Sequence, residues 1–150
     1  MWSIFREVVT AADTYTYDPA MSEDAARGTW IEAPPALTVV AEDGDGRIVG
    51  TAKTGPNRPG PGAHIATASF MVAADARGRG IGAALVEDVL DRARSAGYAG
   101  MQFNAVAASN TGAVLLYERY GFSIVGTVPG AFDHPQLGRV GLHVMHRALP

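Results

Sequence analysis

Between Ala66 and Ala96 the chain passes from a strand pattern, through a turn of glycines and arginines, into a helix pattern. Ala66 to Val72 is short, β-branched and aromatic, the composition of a buried strand. Arg77-Gly78-Arg79-Gly80-Ile81-Gly82 follows at once. From Ile81 onward, Leu85, Val89, Ala93 and Ala96 recur at helical spacing, and Gly97 supplies a stop signal. A strand that enters a helix through three glycines leaves backbone N–H groups without carbonyl partners at the helix N-terminus. Together with the positive end of the macrodipole, they form an anion site. Glycine allows a phosphate to approach closely and tolerates positive φ. Arg77 and Arg79 add cationic donors at the same spot. The competing reading is an ordinary tight turn whose arginines are solvated.

Three phosphate-binding patterns can be laid on this turn. A P-loop ends in Gly-Lys-Ser/Thr, and none follows Gly80 or Gly82. The dinucleotide fingerprint fits loosely as Gly78-x-Gly80-x-x-Ala83, but the next strand, Met101 to Val106, lacks the acid that would hold a ribose. Arg77-x-x-Gly80-x-Gly82 meets the third pattern, Arg/Gln-x-x-Gly-x-Gly/Ala, in full. It resembles the pyrophosphate loop of the GNAT superfamily of acyl-CoA N-acyltransferases. One helix and one strand later, Asn110-x-x-Ala113-x-x-Leu116-Tyr117-Glu118-x-x-Gly121-Phe122 is similar to the second signature of that family. The resemblance covers roughly Leu37 to Leu149.

The resemblance implies an α/β (α+β) fold: a mixed, mostly antiparallel central sheet, splayed in the middle and flanked by helices, with acyl-CoA in the opening. It places the pantetheine arm along the strand edge at Phe70, Met71 and Val72, where its amides pair like an extra strand. Arg77 and the backbone of Gly78, Arg79, Gly80, Ile81, Gly82 and Ala83 then meet the pyrophosphate. Asn110 is expected to hydrogen-bond the pantetheine, to cap its helix, or both. Asn104 and Ala113 complete the expected cofactor-binding set. Tyr117 resembles the residue that protonates the departing CoA thiolate, with core packing as the alternative.

The base that deprotonates an amine is not assigned, because Ser69 and its neighbours include no acid. Candidates are His64, Asn104 positioning a water, and His134. A backbone N–H near Met71 or Val72 is expected to polarise the thioester carbonyl. The family usually begins with an edge strand, whereas here a helix starts almost at Met1. Either the start is truncated or the sheet lacks the first edge strand, and an uncovered edge favours a homodimer. Ala74 stands where the family often has proline.

The chain order yields helices over Trp2–Ala12 and Glu23–Trp30, the second capped by Ser22. A hairpin, Leu37–Glu42 and Arg47–Lys53, turns at Asp43-Gly44-Asp45-Gly46. Thr54–Gly62 reads as a proline- and glycine-rich loop, either a lid or a plain connector. Asn110–Tyr120 reads as a helix, Phe122–Val128 as a strand, Pro129–Gly138 as a long loop and Val140–Leu149 as a final strand. Tyr15, Trp30, Phe132 and His134 are candidates for the acceptor-pocket wall. A chain of 150 residues is one domain, residues 1–150.

A formal net charge of -3 gives no reason to expect nucleic acid or an anionic membrane as partner. The absence of cysteine excludes disulfides and thiolate chemistry. No apolar run approaches a membrane span and no signal peptide is evident; the cysteine-free composition is compatible with the cytoplasm, which is the expected location. His143 and His146, three apart on a predicted strand, face opposite ways, so no metal is expected. The expected activity is an N-acetyltransferase that moves an acetyl group from acetyl-CoA to a small-molecule primary amine, with Tyr117 as general acid. The alternatives are a protein N-terminal or lysine acetyltransferase and a non-catalytic acyl-CoA-binding module.

Overall fold

A computed structural model describes residues 1–150. Helix α1 (Trp2–Ala11) turns Ile4, Phe5, Val8 and Val9 into the interior. Helix α2 (Glu23–Trp30) starts where expected, with the Ala25 N–H donating to Ser22 Oγ at 3.3 Å. Both helices lie on one face of the sheet, over Val49 and Met71. Helix α3 (Ile81–Ser95) covers the other face, burying Leu85, Val86, Val89 and Leu90 against Met101, Phe103 and Met145. Helix α4 (Thr111–Arg119) flanks this second core with Val114, Leu116 and Tyr117. No helix is long and apolar enough to cross a membrane.

The six strands are β1 (Leu37–Glu42), β2 (Ile48–Pro56), β3 (Ile65–Val72), β4 (Gly100–Ala107), β5 (Ser123–His134) and β6 (Gly138–Ala148). Their order is β1-β2-β3-β4-β6-β5, antiparallel throughout except where β3 meets β4. That parallel ladder holds only Ile65 to Gly100 and Ala66 to Met101. Beyond it the strands diverge, and the sheet is splayed as the resemblance implies. With α1 and α2 preceding it in the chain, β1 is one edge of the sheet and pairs only with β2.

Two expected loops are strand in part. Thr54, Gly55 and Pro56 extend β2, pairing with Ala68, Thr67 and Ala66. Interior position overrides their turn propensity, because neighbouring strands offer hydrogen bonds and packing to this stretch. Pro129–Gly138 likewise continues a hairpin, with Phe132, Asp133 and His134 opposite Val140, Arg139 and Gly138. Pro129 and Gly130 fall inside a register shift between Val128 and Phe132, on an edge strand. There a missing N–H and a φ of 61° cost no ladder bond. A second irregularity, in β4 between Phe103 and Val106, leaves Asn104 and Ala105 unpaired and exposed beside the splay.

Candidate active site

Helix α3 begins without a side-chain cap, its N-cap being Gly80 at φ 83°. None of the N–H groups from Gly78 to Ala83 finds an acceptor within the protein. A Cβ added at Gly78 or Gly80 would meet nothing within 4 Å, so the space in front of these donors is open. The result is a row of unpartnered N–H groups at the positive end of a 15-residue helix, an arrangement that suits an anion. Arg77 and Arg79 beside it are exposed and form no ion pair. Asp75, the nearby acid, is instead bound by Arg47 at 2.7 Å, which holds its carboxyl below the usual carboxylate range. Two contacts hold the helix start in place. A Cβ on Gly50 would come 2.8 Å from Ile81 Cγ2, so the first turn rests on the β2 backbone. The Tyr120 hydroxyl also donates to the Ala83 carbonyl at 3.2 Å.

From this cup a cleft of about 540 Å³ runs through the splay. Its near half is lined by Val72, Arg77, Gly82, Ser109, Asn110, Ala113, Leu116 and Tyr117. Asn110 Oδ1 accepts the Ala113 N–H at 3.3 Å. The cap role therefore uses the oxygen and leaves the Nδ2 donor for the cleft. Ser109, which sequence reasoning missed, is the one buried side-chain polar group with no hydrogen-bond partner. Nothing in the sequence marks it out, since a serine before a capped helix is commonplace. Tyr117 packs its ring against Phe103 and Phe70, at centroid distances of 4.5 and 6.0 Å. Burial pushes its phenol well above the ordinary tyrosine range, so it stays protonated at neutral pH.

Backbone direction along β3 alternates. Tyr15 Oη donates to the Phe70 carbonyl at 2.7 Å and accepts the Phe70 N–H at 3.0 Å. The edge groups of Phe70 and, two residues on, Val72 therefore face the opening. Those of Met71 turn toward Thr51 of β2. The backbone groups of Met71 are thus turned to β2 and its side chain is buried in the core beneath α1, while the residue still borders the cleft.

The far half of the cleft is lined by Asp13, Tyr15, Tyr17, Thr67, Ser69, Asn104 and His134. Tyr15 stacks on Tyr17 at 5.5 Å and meets the edge of Trp30 at 6.1 Å. Asn104 is held at both ends, by Gln102 at 2.8 Å and by Asn57 at 2.7 Å, which ties β4 to the segment after β2. Its side chain is exposed and lines the cleft. His134 Nδ1 accepts the N–H groups of Gln136 and Leu137 at 3.2 and 3.3 Å. These contacts engage Nδ1 and leave Nε2 as the ring atom free to meet a ligand. His64 lies outside the cleft, its ring against the Pro61 carbonyl. Trp30 and Phe132 are also outside it. The Trp30 indole N–H is spent on Thr51 Oγ1 at 3.0 Å, and Phe132 is buried.

Comparison with known proteins bears on the family and the fold. Residues 2–122 match the model of the acetyltransferase (GNAT) family. A GCN5-related N-acetyltransferase from Kribbella flavida superposes with a TM-score of 0.96 at 53% identity, over 99% of this chain and 90% of that one. A phosphinothricin acetyltransferase from Sinorhizobium meliloti, solved in complex with AcCoA, superposes with a TM-score of 0.81 at 26% identity, over 98% and 80% of the two chains. An L-methionine sulfoximine/L-methionine sulfone acetyltransferase from Pseudomonas paraeruginosa is 33% identical over 109 residues, 70% of this chain and 63% of that protein. The chain spans less than two thirds of the length of the curated relatives it matches.

Proposed function

The chain belongs to the GNAT acetyltransferase family, and on that premise we propose that it moves an acetyl group from acetyl-CoA to a small primary amine. One observation carries this reading: the row of unpartnered N–H groups from Gly78 to Ala83 adjoins, through Arg77 and Gly82, the cleft that Tyr117 lines. Acetyl-CoA fits the residues present. The cup would take the diphosphate, with Arg77 and Arg79 adding charge. Asn110 Nδ2 and the unpaired Ser109 hydroxyl offer polar partners to an amide-bearing arm. The relatives that act on methionine sulfoximine and phosphinothricin support an acceptor of amino-acid size.

In the transfer, the amine nitrogen forms the new C–N bond as the C–S bond breaks. Sulfur takes a proton from the Tyr117 phenol, which is restored from solvent, and the amine gives its proton to water. Tyr15 does not take that proton. Its phenol is raised far above its ordinary value, chiefly by burial, and His134 Nδ1 is engaged. With no side chain assigned as its base, the amine is proposed to attack as the free-amine fraction drawn from solution. The test is thiol release from acetyl-CoA across a panel of amino acids, amino-acid analogues, polyamines and peptides. Turnover confined to the small amines is expected. Turnover only with peptides would move the acceptor to protein, and coenzyme A binding without turnover on any acceptor would leave a binding module.

A further inference from the structure

Tyr15 stands in an unusual place for a tyrosine from a loop. One hydroxyl satisfies both edge groups of Phe70, accepting its N–H and donating to its carbonyl. Phe70 is the cleft-facing β3 residue beside Tyr117, whose ring lies 6.0 Å from its own. Val72, two residues nearer the diphosphate cup, also turns its edge groups to the opening. A thioester whose sulfur meets Tyr117 therefore brings its carbonyl oxygen to the Phe70 N–H, the donor that Tyr15 already holds. The Tyr15 ring is fixed between Tyr17 and Trp30. Its hydroxyl has Ser69 and the far half of the cleft as neighbours.

We infer that the Tyr15 hydroxyl is a stand-in for the acyl carbonyl, capping the Phe70 N–H in the free protein and releasing it to the thioester when the acyl donor binds. This inference rests on the acetyltransferase reading. Tyr15 is a positioning residue: it keeps the donor aligned and shielded from water, and competes with the acyl group for it. Coenzyme A without an acyl group presents no thioester carbonyl, so it leaves the pair intact.

The test compares the affinities of acetyl-CoA and coenzyme A by calorimetry in the wild type and in Tyr15→Phe, which keeps the ring but removes the competing hydroxyl. Acetyl-CoA is expected to bind about threefold to tenfold tighter to the variant, the effect of one hydrogen bond no longer exchanged. Coenzyme A is expected to bind equally to both. Acetyl-CoA affinity that is unchanged or weaker, or that shifts together with that of coenzyme A, overturns the inference. A second measurement does not depend on the variant folding: a wild-type crystal structure with acetyl-CoA. The Phe70 N–H is expected to face the acyl oxygen with the Tyr15 hydroxyl displaced, and a hydroxyl still bound to that N–H overturns the inference. Wild-type protein that binds neither ligand overturns the acetyltransferase reading itself, an outcome distinct from either of these.

Discussion

The two halves of the cleft recognise by different means. The half around Gly80 is backbone: a row of N–H groups from one helix start, with two free arginines at its margin. The half around Tyr15 is side chain, drawn from the segment after α1, from β3, from the β4 irregularity and from the end of β5. Backbone donors are set by one local conformation and bind a group common to many substrates. Side chains gathered from four separate segments depend on how those segments pack, and on the proposed reading they set acceptor choice.

The sharpest way to break this contrast is Gly80→Val. It forces a β-branched residue to φ 83° and fills the open cup. Strain of about 1–3 kcal/mol plus the lost phosphate approach should weaken acetyl-CoA binding by about a hundredfold or more. Calorimetry would read this, and binding within a few-fold of wild type would mean that the backbone cup is not the donor site. Next comes Tyr117→Phe, expected to lower kcat by about 10²- to 10⁴-fold. Because the buried phenol stays protonated through neutral pH, the rise of rate with pH follows the amine and should persist in the variant. Loss of that rise would give Tyr117 another role.

The raised phenols also carry a stability signature. Folded Tyr15 and Tyr117 keep protons that the unfolded chain releases near pH ~10. Their share of stability is complete below that pH and is lost above it, so alkaline unfolding should begin later in Tyr117→Phe than its neutral-pH stability alone would set. On the other half, His134→Ala should raise KM for the amine by about threefold to tenfold while leaving acetyl-CoA affinity unchanged. A change confined to acetyl-CoA affinity would merge the two halves into one. The smallest effect belongs to Arg79→Gln: about twofold to fivefold weaker acetyl-CoA binding at low ionic strength, fading as salt screens an exposed charge. A salt titration of affinity measures it.

What could be read in advance follows the same division. The Gly-Arg turn, the Ser22 cap, the start of α4 at Asn110 and the hairpin between Leu37 and Lys53 are local patterns, and each is found in place. The two proline- and glycine-rich stretches misled because strand pairing is a long-range decision. Pro56 ends up opposite Ala66, and Phe132 opposite Val140, through partners that turn chemistry does not register. His64 and His134 looked alike as isolated histidines. Only the length of the last hairpin carries one into the cleft and leaves the other outside it.

By itself, the amino-acid order determined the row of free N–H groups, because glycines at a helix start leave them unpartnered wherever that helix is later packed. Tertiary structure alone decided what faces it. The divergence of β3 from β4 after a ladder of two pairs opens the cleft. The alternation of edge groups selects Phe70 over Met71, and a loop tyrosine reaches that edge across 55 residues of sequence. Contacts between distant segments arise from burying two separate cores on the two faces of one sheet, a balance that no local window of the chain contains.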